Sequence, residues 1–125
     1  MSKTIIKTEN APAAVGPYSQ AVRHGSMIFV SGQLPIDPAT GKMPEAAADQ
    51  ARQSLTNLKH ILEEAGSSMA NIIRCGVFLT NLGDFAAVNE VYATFFEGDF
   101  PARACVEVSK LPLGANVEIE CVAFV

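Results

Sequence analysis

An arginine, a thiol and several carboxylates stand inside two short apolar runs near the end of the sequence. The first run is Pro101-Ala102-Arg103-Ala104-Cys105-Val106-Glu107, and the second is Val117-Glu118-Ile119-Glu120. Charged side chains resist burial unless they are paired or hydrogen-bonded, so their placement among residues that demand a core points to a pocket. Strand alternation puts Arg103, Cys105 and Glu107 on one face, with neighbours about 7 Å apart at a rise of about 3.3 Å per residue. A guanidinium fork binds a carboxylate through two parallel hydrogen bonds, which suits Arg103 to anchoring a small carboxylic acid. A structural salt bridge to Glu107 or Glu118 accounts for the same spacing.

Cys105 reads two ways, as a nucleophile or as a small buried hydrophobe. Thiol catalysis needs a base or a cation to form thiolate, and no histidine lies near Cys105 in sequence: His24 precedes Gly25 in a turn and His60 falls within a helix. Glu118 and Glu120 share a strand face. One of them would be ion-paired and the other a proton acceptor whose pKa burial raises, or both would be salt-bridge partners at an interface. Toward the N-terminus, Gly16-Pro17-Tyr18-Ser19-Gln20-Ala21 reads as a polar loop. Val30-Ser31-Gly32-Gln33 ends a strand in a serine and a glycine, where backbone N–H groups can approach a ligand. Asn89 shares a helix face with Phe85 and Tyr92 and so could point inward.

The elements that must position these residues follow from periodicity. Ala47, Ala51, Leu55, Leu58, Leu62 and Ala65 recur at helical spacing, with Gly66 as the stop. Phe85, Val88, Tyr92 and Phe95 make the stripe of a second helix, with Asp84 as its expected N-cap. Strands are expected at 26–31, 72–79, 101–108 and 117–125. This order predicts an α+β domain over residues 1–125, with two helices on one face of the sheet. In the last strand Val117, Ile119, Cys121, Ala123 and Val125 point one way, while Glu118, Glu120, Val122 and Phe124 point the other. Apolar residues on both faces imply that another subunit covers the face the helices leave open, hence a homo-oligomer.

Composition narrows the function. The 125 residues are 49% apolar and 18% charged, enough for one real core. Net charge is −4 with Lys and Arg scattered singly, which argues against nucleic acid as a partner. The apolar start is too short for a signal peptide, and no run reaches the length of a membrane span. Cys75, Cys105 and Cys121 are widely spaced among apolar residues, the pattern of reduced thiols in a cytoplasmic protein, and none sits at metal-ligand spacing from another Cys or His.

In order along the chain, GPYSQA at 16 to 21, VSGQLPIDPATG at 30 to 41, QARQSLTNLKHILEEAG at 50 to 66, DFAAVNEVYATFF at 84 to 96, PARACVEVSKLP at 101 to 112 and VEIE at 117 to 120 resemble the reactive intermediate deaminase family, also called RidA or YjgF. The resemblance implies a chorismate-mutase-like α+β fold assembled as a homotrimer, with clefts between subunits. It implies hydrolysis of reactive 2-enamino and 2-imino acids, of the 2-iminopropanoate and 2-iminobutanoate class, to 2-keto acids and ammonia, with no metal or organic cofactor. Carried over by position, Arg103 would hold the substrate carboxylate and Glu118 would place and deprotonate the attacking water. Tyr18, Ser31, Gly32, Asn89 and Cys105 would line the cleft, with the backbones of Gly32 and Cys105 as hydrogen-bonding groups. Ala104 stands where many members have serine, Leu113 where lysine is common, and Glu97-Gly98-Asp99-Phe100 is a short link. Two alternative readings are a single-stranded RNA endoribonuclease, a label many members carry, and a non-catalytic trimeric ligand-binding or chaperone-like module.

Overall fold

A computed structural model describes residues 2–125, so Met1 of the expected 1–125 domain lies outside the described residues. The strands are β1 (Thr4–Ile6), β2 (Ala21–His24), β3 (Met27–Gln33), β4 (Ile72–Leu79), β5 (Ala102–Glu107) and β6 (Val117–Phe124). The helices are α1 (Ala47–Glu64) and α2 (Phe85–Ala93). The six strands form one sheet in the order β1-β2-β3-β6-β4-β5. Only β4 and β5 pair in parallel, and β5 is an edge strand, so the sheet is mixed.

The expected helix from Ala47 is present, and its stripe of Ala51, Leu55, Leu58 and Leu62 is fully buried. Gly66 ends it with φ +82°, a left-handed turn that glycine adopts without steric cost. That face of α1 packs on Ile28, Val30, Cys75, Val77, Ile119, Cys121 and Ala123 of the sheet, and Val88, Val91 and Tyr92 of α2 join the same core. Alternation in β6 is as read from the sequence: Val117, Ile119, Cys121 and Ala123 are buried, whereas the glutamates are half-exposed. Val125 lies beyond the strand and is exposed.

Three local expectations are corrected. β1 and β2 were not anticipated, and His24 ends β2 rather than sitting in a turn. The Asp84 side chain makes no capping hydrogen bond, because a 3-10 turn over Leu82–Asp84 precedes α2 and gives Asp84 helical backbone angles. Capping there falls to Asn81, whose Oδ1 accepts from Gly83 N at 2.8 Å. The strand expected to stop at Ser31 continues to Gln33 through a bulge.

The face opposite the helices keeps large apolar side chains in the open. Phe29 on β3, Val106 on β5 and Phe124 on β6 are 50%, 45% and 43% exposed, values that set this surface apart from the well-covered core on the other side. Among the described residues no helix is long and apolar enough to cross a membrane.

Candidate active site

Register decides which candidate residues can meet. Arg103 is aligned with Cys75, which is aligned with Cys121, so all three share the helix-covered face. Glu118 is aligned with Phe78 and Phe78 with Val106, on the opposite, open face. The candidates therefore fall into two groups on the two sides of one sheet.

On the helix side, Arg103 Nη1 donates to Asn89 Oδ1 at 2.7 Å. Its guanidinium carbon stands 4.8 Å from the Tyr92 ring centroid and 5.6 Å from that of Phe85. Asn89 faces inward, as its spacing from Phe85 and Tyr92 allows. The salt bridge considered for Arg103 is not formed: Glu107 accepts from Leu82 N at 2.9 Å instead, and Glu118 lies across the sheet. Arg103 also borders a cavity of about 380 Å³, whose other walls are Asn89, Tyr92, Ala93, Phe100 and Pro101. Arg103 is the one charged residue of its lining and the rest is mainly apolar, the complement of a small acid with a hydrocarbon tail.

Cys105 lies on the same face, half-buried against the core. Burial pushes its thiol pKa up, and the Arg103 charge offsets this only in part. That is the environment of a packing thiol rather than of an activated nucleophile.

On the open side, the bulge inserts Ser31 and Gly32 between core-facing Val30 and Gln33. The missing side chain of Gly32 makes room for Glu118: a Cβ at position 32 would stand 2.9 Å from Glu118 Cδ and Oε2. Gly76 does the same for Glu120, whose Oε2 would be 3.0 Å from a Cβ there. Glu120 is 4.0 Å from Arg74 Nη1, the one ion pair among the described residues, while Glu118 has no basic partner among them. Burial first, and then the Glu120 charge, raise the Glu118 pKa above its ordinary 4.5. Of the two carboxylates, one is paired and the other is poised to take a proton.

The Tyr18 loop is tied to this side. Ser31 Oγ donates to Ser19 O at 2.6 Å, and Ser31 N donates to Gln20 O at 2.9 Å. Buried Gln20 secures the loop from behind, accepting from Thr8 N at 2.7 Å and donating to Pro12 O at 2.8 Å. Tyr18 itself is exposed. The structure thus gathers Asn89, Arg103 and Cys105 on one side, and Ser31, Gly32 and Glu118 around the bulge of β3, with Tyr18 exposed on the loop that Ser19 and Gln20 tie to that bulge.

Sequence reasoning missed Arg74, Gly76, Phe85 and Tyr92 as partners of these groups. The signal for the last two was present in the 85-89-92 spacing that was applied to Asn89 alone. A larger groove of about 810 Å³, between α1 and the segment after α2, mixes Arg52 and Lys59 with Glu63, Glu97 and Asp99 and contains none of the candidate residues. Among the described residues no group of three His, Cys, Asp or Glu side chains could hold a metal ion.

The sequence family described as Endoribonuclease L-PSP matches residues 8–125. A RutC family protein, y4sK of Sinorhizobium fredii, is 56% identical over 94% of each chain. The 2-iminobutanoate/2-iminopropanoate deaminase of Escherichia coli K12 is 53% identical over 98% of each chain. The crystal structure of Escherichia coli TdcF with bound serine superposes with a TM-score of 0.95 at 49% identity, again over 98% of both chains.

Proposed function

The chain belongs to the endoribonuclease L-PSP family, the RidA/YjgF proteins, and we propose that it is a hydrolytic deaminase converting 2-imino and 2-enamino acids to 2-keto acids and ammonia. The observation that carries this reading is the state of Arg103. Its guanidinium is held by Asn89 and two rings, pairs with no carboxylate among the described residues, and opens on a mainly apolar cavity. A substrate carboxylate is the group such a fork lacks. The relative with a serine bound is consistent with a site for amino-acid-sized acids.

Arg103 and Glu118 on opposite faces cannot act on one small molecule within a single chain. We therefore read the protein as a homo-oligomer in which the Arg103 side of one copy meets the Glu118 side of the next. Such a contact joins two different surfaces, which gives a ring where the rotation closes, and a ring of three is what the family resemblance implies. The exposed Phe29, Val106 and Phe124 give the open face the apolar character that a covering subunit requires.

The chemistry follows from these parts. Arg103, bonded to Asn89, holds the substrate by its carboxylate, and Tyr18, Ser31, Gly32, Asn89 and Cys105 line the cleft. Glu118, ionised, accepts a proton from a water that attacks the electrophilic imine carbon. That proton passes to the imine nitrogen to complete the carbinolamine; as this collapses, Glu118 carries its hydroxyl proton to the same nitrogen, the C–N bond breaks and ammonia leaves the 2-keto acid. Substrate and water together supply every atom of the keto acid and ammonia. An imine carbon is already activated, so an anchor, a positioned water and a proton shuttle suffice without a covalent nucleophile or a cofactor.

The test generates the imine in situ with an amino-acid oxidase or a dehydratase and follows its decay with and without the protein. Faster release of keto acid and ammonia is expected. Unchanged imine decay, with the 2-keto acid still bound, would leave a non-catalytic binding module. Degradation of single-stranded RNA without imine hydrolysis would favour the endoribonuclease reading, although His60 Nδ1 is engaged with Asn10 O and His24 is the exposed last residue of β2. The net charge of −4 favours a small-molecule substrate over nucleic acid, and the unpaired thiols fit a cytoplasmic protein.

A further inference from the structure

An arginine on an edge strand is normally a mobile side chain, yet Arg103 is gripped from a single helix face. Phe85, Asn89 and Tyr92 follow one another at i, i+4 and i+7 on α2, and all three address the guanidinium. Asn89 fixes one Nη1 hydrogen in direction. The Tyr92 ring, the closer of the two, lies 4.8 Å from the guanidinium carbon, within the range of a cation–π contact. That ring cannot move aside: Tyr92 is 5% exposed and packs against Phe96 at 4.9 Å between centroids.

The Tyr92 hydroxyl is an anomaly. It is buried beside the Cys75 thiol, a weak hydrogen-bond partner, and meets no oxygen or nitrogen acceptor. Buried tyrosine hydroxyls ordinarily find a partner, and an orphaned one costs stability. With only the weak thiol partner at its hydroxyl, Tyr92 meets Arg103 through its ring.

We propose that Tyr92 and Phe85 are positioning residues that, with Asn89, form a cradle fixing the plane of the Arg103 guanidinium so that its free edge faces the cavity. This rests on the reading of Arg103 as the carboxylate anchor. A bidentate contact requires the fork and the carboxylate to be coplanar, so a guanidinium free to swing loses geometry while keeping its charge. The rings also occupy space in which water would otherwise solvate the cation, which strengthens its pull on an incoming anion.

The test compares Tyr92→Phe, Tyr92→Leu and Phe85→Leu in the assembled protein. Three quantities are measured: the Kd for 2-ketobutyrate, KM and kcat for its imine, and kcat/KM for the imine of 2-ketobutyramide, which lacks the carboxylate. Tyr92→Phe keeps the ring and is expected to stay within about twofold of wild type throughout. Tyr92→Leu is expected to raise the keto-acid Kd and the KM by about tenfold while kcat changes far less, because Glu118 is untouched. The amide substrate should be insensitive to both leucine variants. Phe85 is 39% exposed, so Phe85→Leu supplies the same comparison, with a smaller effect, if Tyr92→Leu fails to assemble. The proposal is overturned if Tyr92→Phe loses as much as Tyr92→Leu, if the leucine variants bind the keto acid like wild type, or if acid and amide substrates suffer equally. Wild-type protein that binds the keto acid but hydrolyses no imine would refute the deaminase reading, while the binding comparison still decides the cradle.

Discussion

Arg103 and Glu118 lie on opposite faces of one sheet, through the registers Arg103–Cys75–Cys121 and Glu118–Phe78–Val106. If both serve one substrate, each active site is shared between copies, and two inactive variants should complement. Co-assembled Arg103→Ala and Glu118→Gln chains are expected to recover up to about one quarter of wild-type activity, one half times one half, since each variant still carries the residue the other lacks. Sedimentation should show a trimer for both variants and for wild type. No recovery in mixed trimers, or a stable monomer at micromolar concentration, would refute the shared site.

Substitution of the anchor tests geometry apart from charge. Arg103→Lys keeps the cation but loses the planar fork and the Asn89 contact, so kcat/KM should fall by at least about tenfold with the trimer intact. Unchanged kinetics would return Arg103 to a structural role.

Glu118→Gln removes proton acceptance while preserving shape, and turnover should fall by roughly a hundredfold or more, with keto-acid binding retained. Glu120→Gln should act differently. Removing the neighbouring charge, and releasing Arg74 from its partner, lowers the Glu118 pKa, so the acid limb of the pH–kcat/KM profile should move to lower pH. A selective loss of turnover in the Glu120 variant instead would exchange the two roles.

The same pKa shift carries a sign for stability. Glu118 binds its proton more tightly in the folded than in the unfolded chain. Its contribution is therefore present below the unfolded pKa and is lost as pH rises through the raised folded pKa. Glu118→Gln should thus melt at the same temperature as wild type or higher near neutral pH, with the difference shrinking toward acid pH. A variant less stable than wild type at pH 8 would contradict this.

Gly32 is needed for space. Gly32→Ala would put a methyl group 2.9 Å from Glu118 Cδ and displace the carboxylate, so turnover should fall while far-UV circular dichroism is unchanged. Cys105→Ala, by contrast, should retain much of the activity, because the thiol pKa is raised and the side chain packs against the core. Complete loss in a folded Cys105→Ala trimer would revive covalent catalysis.

Patterns local to one element were readable from the sequence alone. The stripe Ala51, Leu55, Leu58, Leu62 announced α1, and the alternation from Val117 to Ala123 announced β6 with its glutamates on the less covered face. β1 and β2 were missed because runs of three and four residues are too short to display a period. The bulge at Ser31–Gly32 was missed for a different reason: an extra residue is defined only against the partner strand. The residue types of the candidate site, an arginine with glutamates and no histidine near them in sequence, could also be listed from the sequence. Its geometry could not. Alternation tells which residues of one strand share a face, but which face of the sheet that is depends on register with strands far away in sequence. Only the pairing of β4 with both β5 and β6 puts Arg103 on the helix side and Glu118 on the other. Only the folded chain gives Glu120 its Arg74 and leaves Glu118 without a basic partner among the described residues, since residues 74 and 120 meet across β4 and β6.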